Sequence, residues 1–173
     1  MLSRYWEGEW QEASAIVAED WSANYPVMEA PAISVQNENV MLAWYSEAQG
    51  EPHLKVAFSQ NNGQAFDTVV ELAKGRTTGK VAAQWLDDTT VLLAFAERQE
   101  TGVALRVAIV DENGNVLHEK QVAFSTTGKL QNPPELAKQQ QQVLLAWKWS
   151  NDDYKMRSLE WEGGDLQVKD VRF

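Results

Sequence analysis

The chain has 173 residues, enough for one domain with a sizeable core, and its 44% hydrophobic and 23% charged residues describe a globular polymer, not a disordered one. A formal net charge of −10 with no basic run makes nucleic acid and anionic membranes poor partners. The absence of cysteine excludes a disulfide scaffold, a thiol nucleophile and Cys-ligated zinc, and His53 and His118 alone do not furnish a multi-histidine metal site, so no cofactor or metal is expected.

The first residues, MLSRYWEGEW, carry no apolar core of a leader, and nothing approaches the ~18 apolar residues of a membrane span. The expected location is cytoplasmic for the chain as it stands, and periplasmic or extracellular for a chain truncated at its N-terminus. YWEGEWQ (5–11) is similar to LEWEGGDLQ (159–167), which makes residues 2–18 read as the last two strands of a partial unit. The strongest helical candidate, EASAIVAEDW (12–21), also reads as a strand.

Three complete units follow, at 31–73, 80–124 and 134–173, making one repeat domain over residues 1–173. Each is anchored on the pattern V-[ML]-L-A-[WF], in NVMLAWYSE (39–47), TVLLAFAER (90–98) and QVLLAWKWS (142–150). The aromatics Trp44, Phe95 and Trp147 recur at spacings of 51 and 52 residues, a period that signals a repeated supersecondary unit. Upstream of each lies a short apolar run (31–35, 80–86, 134–137) and a polar turn. Downstream lie HLKVAFS (53–59), ALRVAIV (104–110) and YKMRSLEW (154–161), then a glycine turn and a fourth run. Gly63 and Gly114 each fall nineteen residues past their aromatic. Alternation in LKVAF and LRVAIV, with flanking Gly, Asn and Asp, indicates strands, and the near-continuous VLLAF and VLLAW indicate strands buried on both faces. The predicted class is all-β, built of repeated four-stranded antiparallel sheets.

SQNNGQAF (59–66), between the third and fourth strands of the first unit, resembles the Asp-box of sialidase-like BNR-repeat propellers, S-x-D-x-G-x-[TS]-[FW]. Ser59, Asn61, Gly63 and Phe66 match, with Asn for Asp and Ala65 for Thr or Ser. Locally such a stretch staples a hairpin: the Asn side chain bonds its own turn, glycine permits a positive φ, and the aromatic tucks beneath. The resemblance implies about three and a half blades of a six- or seven-bladed sialidase-like β-propeller. An ordinary β-sandwich or meander built by duplication is the alternative architecture. Closed propellers need about four to eight blades, so self-association into a homodimer, or the other half of a longer protein, is expected to close the ring. The initial Met and the strand-like LQVKDVRF at the end favour the homodimer.

Sialidases use three arginines for the substrate carboxylate, a Tyr–Glu nucleophile pair and an Asp acid/base. The Arg-Ile-Pro signature of that family is absent here, and no catalytic residue carries over. Of the arginines, only Arg76 and Arg98 fall where loops share a face. Asp87–Asp88 reads as turn chemistry, and Asp152–Asp153 as a solvated turn, with Ca²⁺ held through oxygen ligands as the alternative. Glu97, Glu100, Asp152 and Asp153 serve a glycosidase only if the fold sets two of them about 5 to 10 Å apart across a cleft. Trp21, Tyr25, Trp149 and Tyr154 fall in loops that emerge on one face of a propeller, where aromatics stack on sugars, grip a peptide or simply cap the core. The expected ligand face therefore carries Trp21, Tyr25, Arg76, Arg98, Lys129, Trp149 and Tyr154. The reading this supports is a non-enzymatic binding or scaffold protein for a glycan or peptide. A glycoside hydrolase-like enzyme using loop carboxylates is the alternative, and a purely structural assembly module a third.

Overall fold

The structure, a computed structural model, describes residues 1–17, 29–48, 50–150 and 152–171. Among these residues there is no helix. Three meandering four-stranded antiparallel sheets follow a two-stranded hairpin of β1 (Tyr5–Trp6) and β2 (Glu9–Trp10). The first sheet is β3 (Ala32–Gln36), β4 (Asn39–Ser46), β5 (His53–Ser59) and β6 (Thr68–Leu72). The second is β7 (Thr77–Trp85), β8 (Thr90–Gln99), β9 (Gly102–Asp111) and β10 (Val116–Ser125). The third is β11 (Glu135–Gln139), β12 (Gln142–Lys148), β13 (Tyr154–Glu162) and β14 (Asp165–Asp170). Repeated four-stranded sheets stacked face to face are a partial β-propeller.

Two apolar seams hold the sheets together. In the first, Met41, Ala43, Val56 and Phe58 meet Trp85, Val91, Leu93 and Phe95. In the second, Leu92, Ala94, Val107 and Ile109 meet Val143, Leu145, Trp147 and Leu159. The middle sheet is therefore covered on both faces. That is why β8 is buried from Thr90 through Glu97 and reads as a continuous apolar run. The repeat aromatics occupy one position: Phe95 faces the first sheet, and Trp147 faces the second. Opposite each stands a cation, in the pairs Trp44 with Lys55, Phe95 with Arg106, and Trp147 with Lys155.

The ends of the sheets that carry the β3–β4 and β7–β8 turns are latched across the first seam. Asp88 accepts from the side-chain amides of Gln36 (2.8 Å) and Asn37 (3.0 Å), and its carbonyl accepts from Asn39 (2.8 Å). Asp87 closes its own turn by accepting from the Thr89 and Thr90 backbone N–H groups, both at 2.8 Å. Both aspartates thus serve turns and seams.

Some local expectations are corrected. Residues 12–17 form neither helix nor strand; Ser14 bridges Leu2, and the remainder of 12–21 lies outside the described residues. The first strand of the second sheet begins at Thr77, three residues before the apolar run. A register shift between Thr77 and Val81 absorbs the extra residues.

Candidate functional site

The opposite end of the sheets carries the β6–β7 and β10–β11 connections and the β4–β5, β8–β9 and β12–β13 turns. At this end of the second sheet a cleft of about 530 Å³ opens, lined from β7, β8, β9 and the β10–β11 connection, with Glu29 from the segment before β3. Leu92, Ala94 and Ala96 form one column on the face of β8 that meets the third sheet. Arg98 continues that column by strand alternation and enters the cleft where the apolar seam ends. Lys129 arrives from the β10–β11 connection. That connection is zipped to the β12–β13 turn: Leu130 bridges Trp149, the Lys129 N–H donates to Ser150 Oγ at 3.1 Å, and the Ser150 N–H returns to the Lys129 carbonyl at 2.8 Å.

A third cation, Lys80 on β7, pairs with Glu29 at 2.7 Å. Gly79, at φ +83°, allows this approach, because a Cβ there would lie 3.0 Å from Glu29 Cγ and 3.2 Å from Tyr45 Cδ2. Thr78, Thr126 and Thr127 also line the cleft, the Thr78 hydroxyl donating to the Ala96 carbonyl at 3.3 Å. Three cations face one carboxylate here among the described residues, in a chain whose net charge is −10. Among the described residues neither Arg98 nor Lys129 has an ion-pair partner.

Behind the β8–β9 hairpin, on the face turned toward the first sheet, lies a second depression lined by Arg76, Glu97, Glu100, Arg106 and Glu119. Glu97 is only 3% exposed; it pairs with Arg76, and its other oxygen is 3.3 Å from Arg106. Arg106 also holds Glu119 at 2.7 Å. Adjacent residues Glu97 and Arg98 thus serve opposite faces of one strand.

The expected ligand face is only partly assembled. Arg98 and Lys129 share the cleft. Arg76 does not join them: its carbonyl accepts the Arg98 N–H at 2.7 Å, but its guanidinium goes to Glu97. Trp149 caps the core, 6% exposed within the second seam. Tyr154 is exposed at the end of β13, with the Lys148 ammonium 5.5 Å from its ring. Trp21 and Tyr25 lie outside the described residues. Asp152 pairs with Lys155 at 3.1 Å, and the bonds from Lys155 and the Asp153 N–H hold its carboxyl below the ordinary value. Among the described residues no group of three or more His, Asp or Glu side chains forms a metal site.

The sequence reading passed over two features. Glu29 and Lys80 are far apart in sequence and leave no local pattern. Tyr5, Trp6 and Trp10 of the N-terminal hairpin are all exposed, with Tyr5 and Trp10 edge to face at 5.4 Å and Arg4 lying 5.0 Å over Trp6.

Fold and sheet order place the chain in the class of partial β-propellers. No family model matches it, and no curated protein does. Among solved structures it is similar to a subtype N10 neuraminidase-like protein of A/little yellow-shouldered bat/Guatemala/060/2010, with a TM-score of 0.55 and 9% sequence identity. The match covers 81% of this chain and 43% of that one, so this chain spans less than half the neighbour's length. At that identity the likeness speaks for the fold alone.

Proposed function

We propose that this chain is a non-enzymatic binding module that holds an acidic saccharide in the cleft at the end of its second sheet, beside the β10–β11 connection. The observation that carries the reading is the pair Arg98 and Lys129, two cations on a concave, mainly apolar surface with no ion-pair partner among the described residues. A guanidinium offers planar, forked donors to a carboxylate or sulfate, and a neighbouring ammonium adds a point charge. The volume suits one or two sugar rings, whose apolar faces can rest on the apolar part of the lining. Recognition through these cations replaces recognition through loop aromatics, since Trp149 is withdrawn into the core.

Glycoside hydrolysis is disfavoured by the same geometry. It needs two carboxyls across a cleft. Here, among the described residues, the only lining carboxylate is Glu29, already tied to Lys80. In the second depression Glu97 is engaged by two arginines and Glu119 by one.

The test is a glycan array comparing carboxylated, sulfated and neutral glycans, followed by calorimetric titration of the best binder. Acidic glycans should be preferred, binding should weaken with salt, and Arg98→Ala and Lys129→Ala should each cost about tenfold in affinity. Preference for neutral glycans, or unchanged affinity in both variants, overturns the reading. Turnover of fluorogenic glycosides would establish the enzymatic alternative, and tighter binding of acidic peptides would replace saccharide by peptide.

A further inference from the structure

We propose that two copies of this chain close a ring of six four-stranded sheets, the bare first strand of each copy packing on the outward face of the other's third sheet. The argument starts from the rule by which the chain builds its own seams. The face bearing Met41, Ala43 and Val56 packs on the face bearing Val91, Leu93 and Phe95. One repeat later, Leu92, Ala94 and Val107 pack on Val143, Leu145 and Trp147. The same joint is made twice.

Each half of that joint recurs once more with no described sheet of this chain packed on it. On the third sheet, Leu144, Ala146 and Met156 stand at the positions of the first half and are only half-buried. On the first sheet, Val40, Leu42 and Trp44 stand at the positions of the second half, flanked by Ile33 and Val35 on β3. Val40 and Leu42 are covered within the chain, but Ile33 and Val35 are each 58% exposed.

The first strand of each sheet makes the contrast sharpest. Val35, Trp85 and Lys138 occupy one repeat position, each opposite the valine that opens the repeat motif: Val40, Val91 and Val143. Trp85 reaches back to the preceding sheet and donates from Nε1 to the Ser34 carbonyl at 3.0 Å. Lys138 reaches back likewise and donates to the Leu86 carbonyl. Val35 has the same orientation and an exposed side chain.

A second copy is the occupant that these faces fit. The chain carries both complementary halves of one joint, so a two-fold pair fills both ends at once, whereas a partner offering one half leaves the other bare. The outward face of the third sheet suits a joint between chains. It keeps the Leu–Ala pair but places Lys148 and Tyr154 where the second sheet has Ala96 and Leu105. Ser158 stands on it too, its hydroxyl buried without a partner among the described residues. A polar rim around an apolar centre is ordinary for a protein–protein interface. The sweep is also suitable, since 81% of this chain matches 43% of the neuraminidase-like chain and a pair closes a ring only if each copy takes about half of it. With the hairpin β1–β2 in place, Ile33 and Val35 remain 58% exposed, so it does not cover them.

The test uses the lack of native cysteine. Light scattering on the unmodified chain should give twice its 19.5 kDa mass at micromolar concentration. Ala137 repeats the position of Ser34, the residue that Trp85 touches. On oxidation, the double variant Val35→Cys with Ala137→Cys should therefore form a covalent dimer on a non-reducing gel, and neither single variant should. Val35→Glu and Leu144→Glu should each weaken dimerisation at least tenfold while circular dichroism and the melting temperature stay near wild type. A monomer at every concentration overturns the proposal. So does crosslinking by Val35→Cys alone, which would mean like faces meeting, and so does an open-ended ladder from the double variant.

Discussion

Ser59 Oγ stands 2.8 Å from Asn61 Oδ1, and this pair closes the turn between β5 and β6. The serine oxygen also accepts the Gly63 N–H at 3.0 Å, and the asparagine oxygen accepts the N–H groups of Gln64 (3.1 Å) and Ala65 (2.9 Å). One side-chain oxygen thus organises three donors in a turn too tight for a sheet ladder to serve. Asn61→Ala should lower stability by about 1–2 kcal/mol, the cost of leaving such donors unpaired. Asn61→Asp should match or exceed wild type, because a carboxylate accepts the same bonds more strongly. Urea midpoints at constant slope check both. A loss in Asn61→Asp as large as in Asn61→Ala would show that the amide nitrogen, not Oδ1, anchors the turn.

The sheets were legible in the sequence because their cause is local. Alternation in HLKVAFS and the repeated V-[ML]-L-A-[WF] run reflect burial on one or two faces of a pleated strand, and the aromatic recurs because each sheet needs the same filler against the one before it. The site was much less legible. Arg76 and Arg98 look like loop neighbours, but β8 runs on to Gln99, so alternation sends Glu97 and Arg98 to opposite faces and leaves Arg76 with Glu97. Trp149 follows an apparent strand end, yet its bridge to Leu130 extends the sheet and buries it. The Glu29–Lys80 pair depends on a bulge and on the absence of a side chain at Gly79, neither of which periodicity reports.

Trp85 should be the costliest aromatic to alter conservatively. It is 1% exposed, lies edge-on to Phe58 at 6.1 Å, and donates across the first seam to the Ser34 carbonyl. Trp85→Phe leaves a cavity and removes the bond across the seam, for a loss of about 2–3 kcal/mol. Trp44→Phe, at the half-buried end of the series, should cost under about 1 kcal/mol. Equal losses in chemical denaturation would contradict the unequal packing of the two rings.

Burial of the Glu97 carboxylate between two guanidinium groups gives a further measurable asymmetry. Glu97→Leu removes the charge that compensates Arg76 and Arg106, but Arg76 has a 63% exposed side chain and can be solvated. The expected loss is therefore about 1–3 kcal/mol, below that of a fully buried pair. Adding Arg106→Leu should restore part of it, and a double-mutant cycle reads the coupling. No recovery would mean that Glu119 alone satisfies Arg106.

Acid stability should depend on Asp87. Partial burial alone would raise its pKa, but hydrogen bonds from Thr90 and Thr89 outweigh that and hold the folded carboxyl below its ordinary 3.8. A pKa depressed on folding adds stability that is fully present above the unfolded value and lost as pH falls through the folded one. Wild type should therefore lose stability below about pH 4 as this carboxylate takes up its proton. Asp87→Asn should start less stable at neutral pH and show a shallower decline in that window. Parallel curves from thermal melts between pH 7 and pH 2 would exclude Asp87 as a source of the acid sensitivity.

Gly114 and Gly164 separate backbone strain from packing at a seam. Both are left-handed, at φ +86° and +85°. A Cβ at Gly164 meets nothing within 4 Å, so Gly164→Ala carries only the strain of that conformation, about 1–2 kcal/mol. At Gly114 the added carbon would lie 2.5 Å from Val70 Cγ2 and 2.8 Å from Thr68 Cγ2, both on β6 of the neighbouring sheet. The turn cannot swing aside cheaply, because Asp111 holds it through the N–H groups of Asn113 (3.0 Å) and Asn115 (2.7 Å). Gly114→Ala must therefore push the first two sheets apart at their outer edge, and its loss should exceed that of Gly164→Ala by about 1–3 kcal/mol. Adding Val70→Ala should relieve Gly114→Ala and leave Gly164→Ala unaffected, since only the first clash involves that methyl group. If the second substitution fails to relieve the first, Thr68 or the turn itself carries the strain, and the close contact between sheets at this glycine is not what limits the residue there.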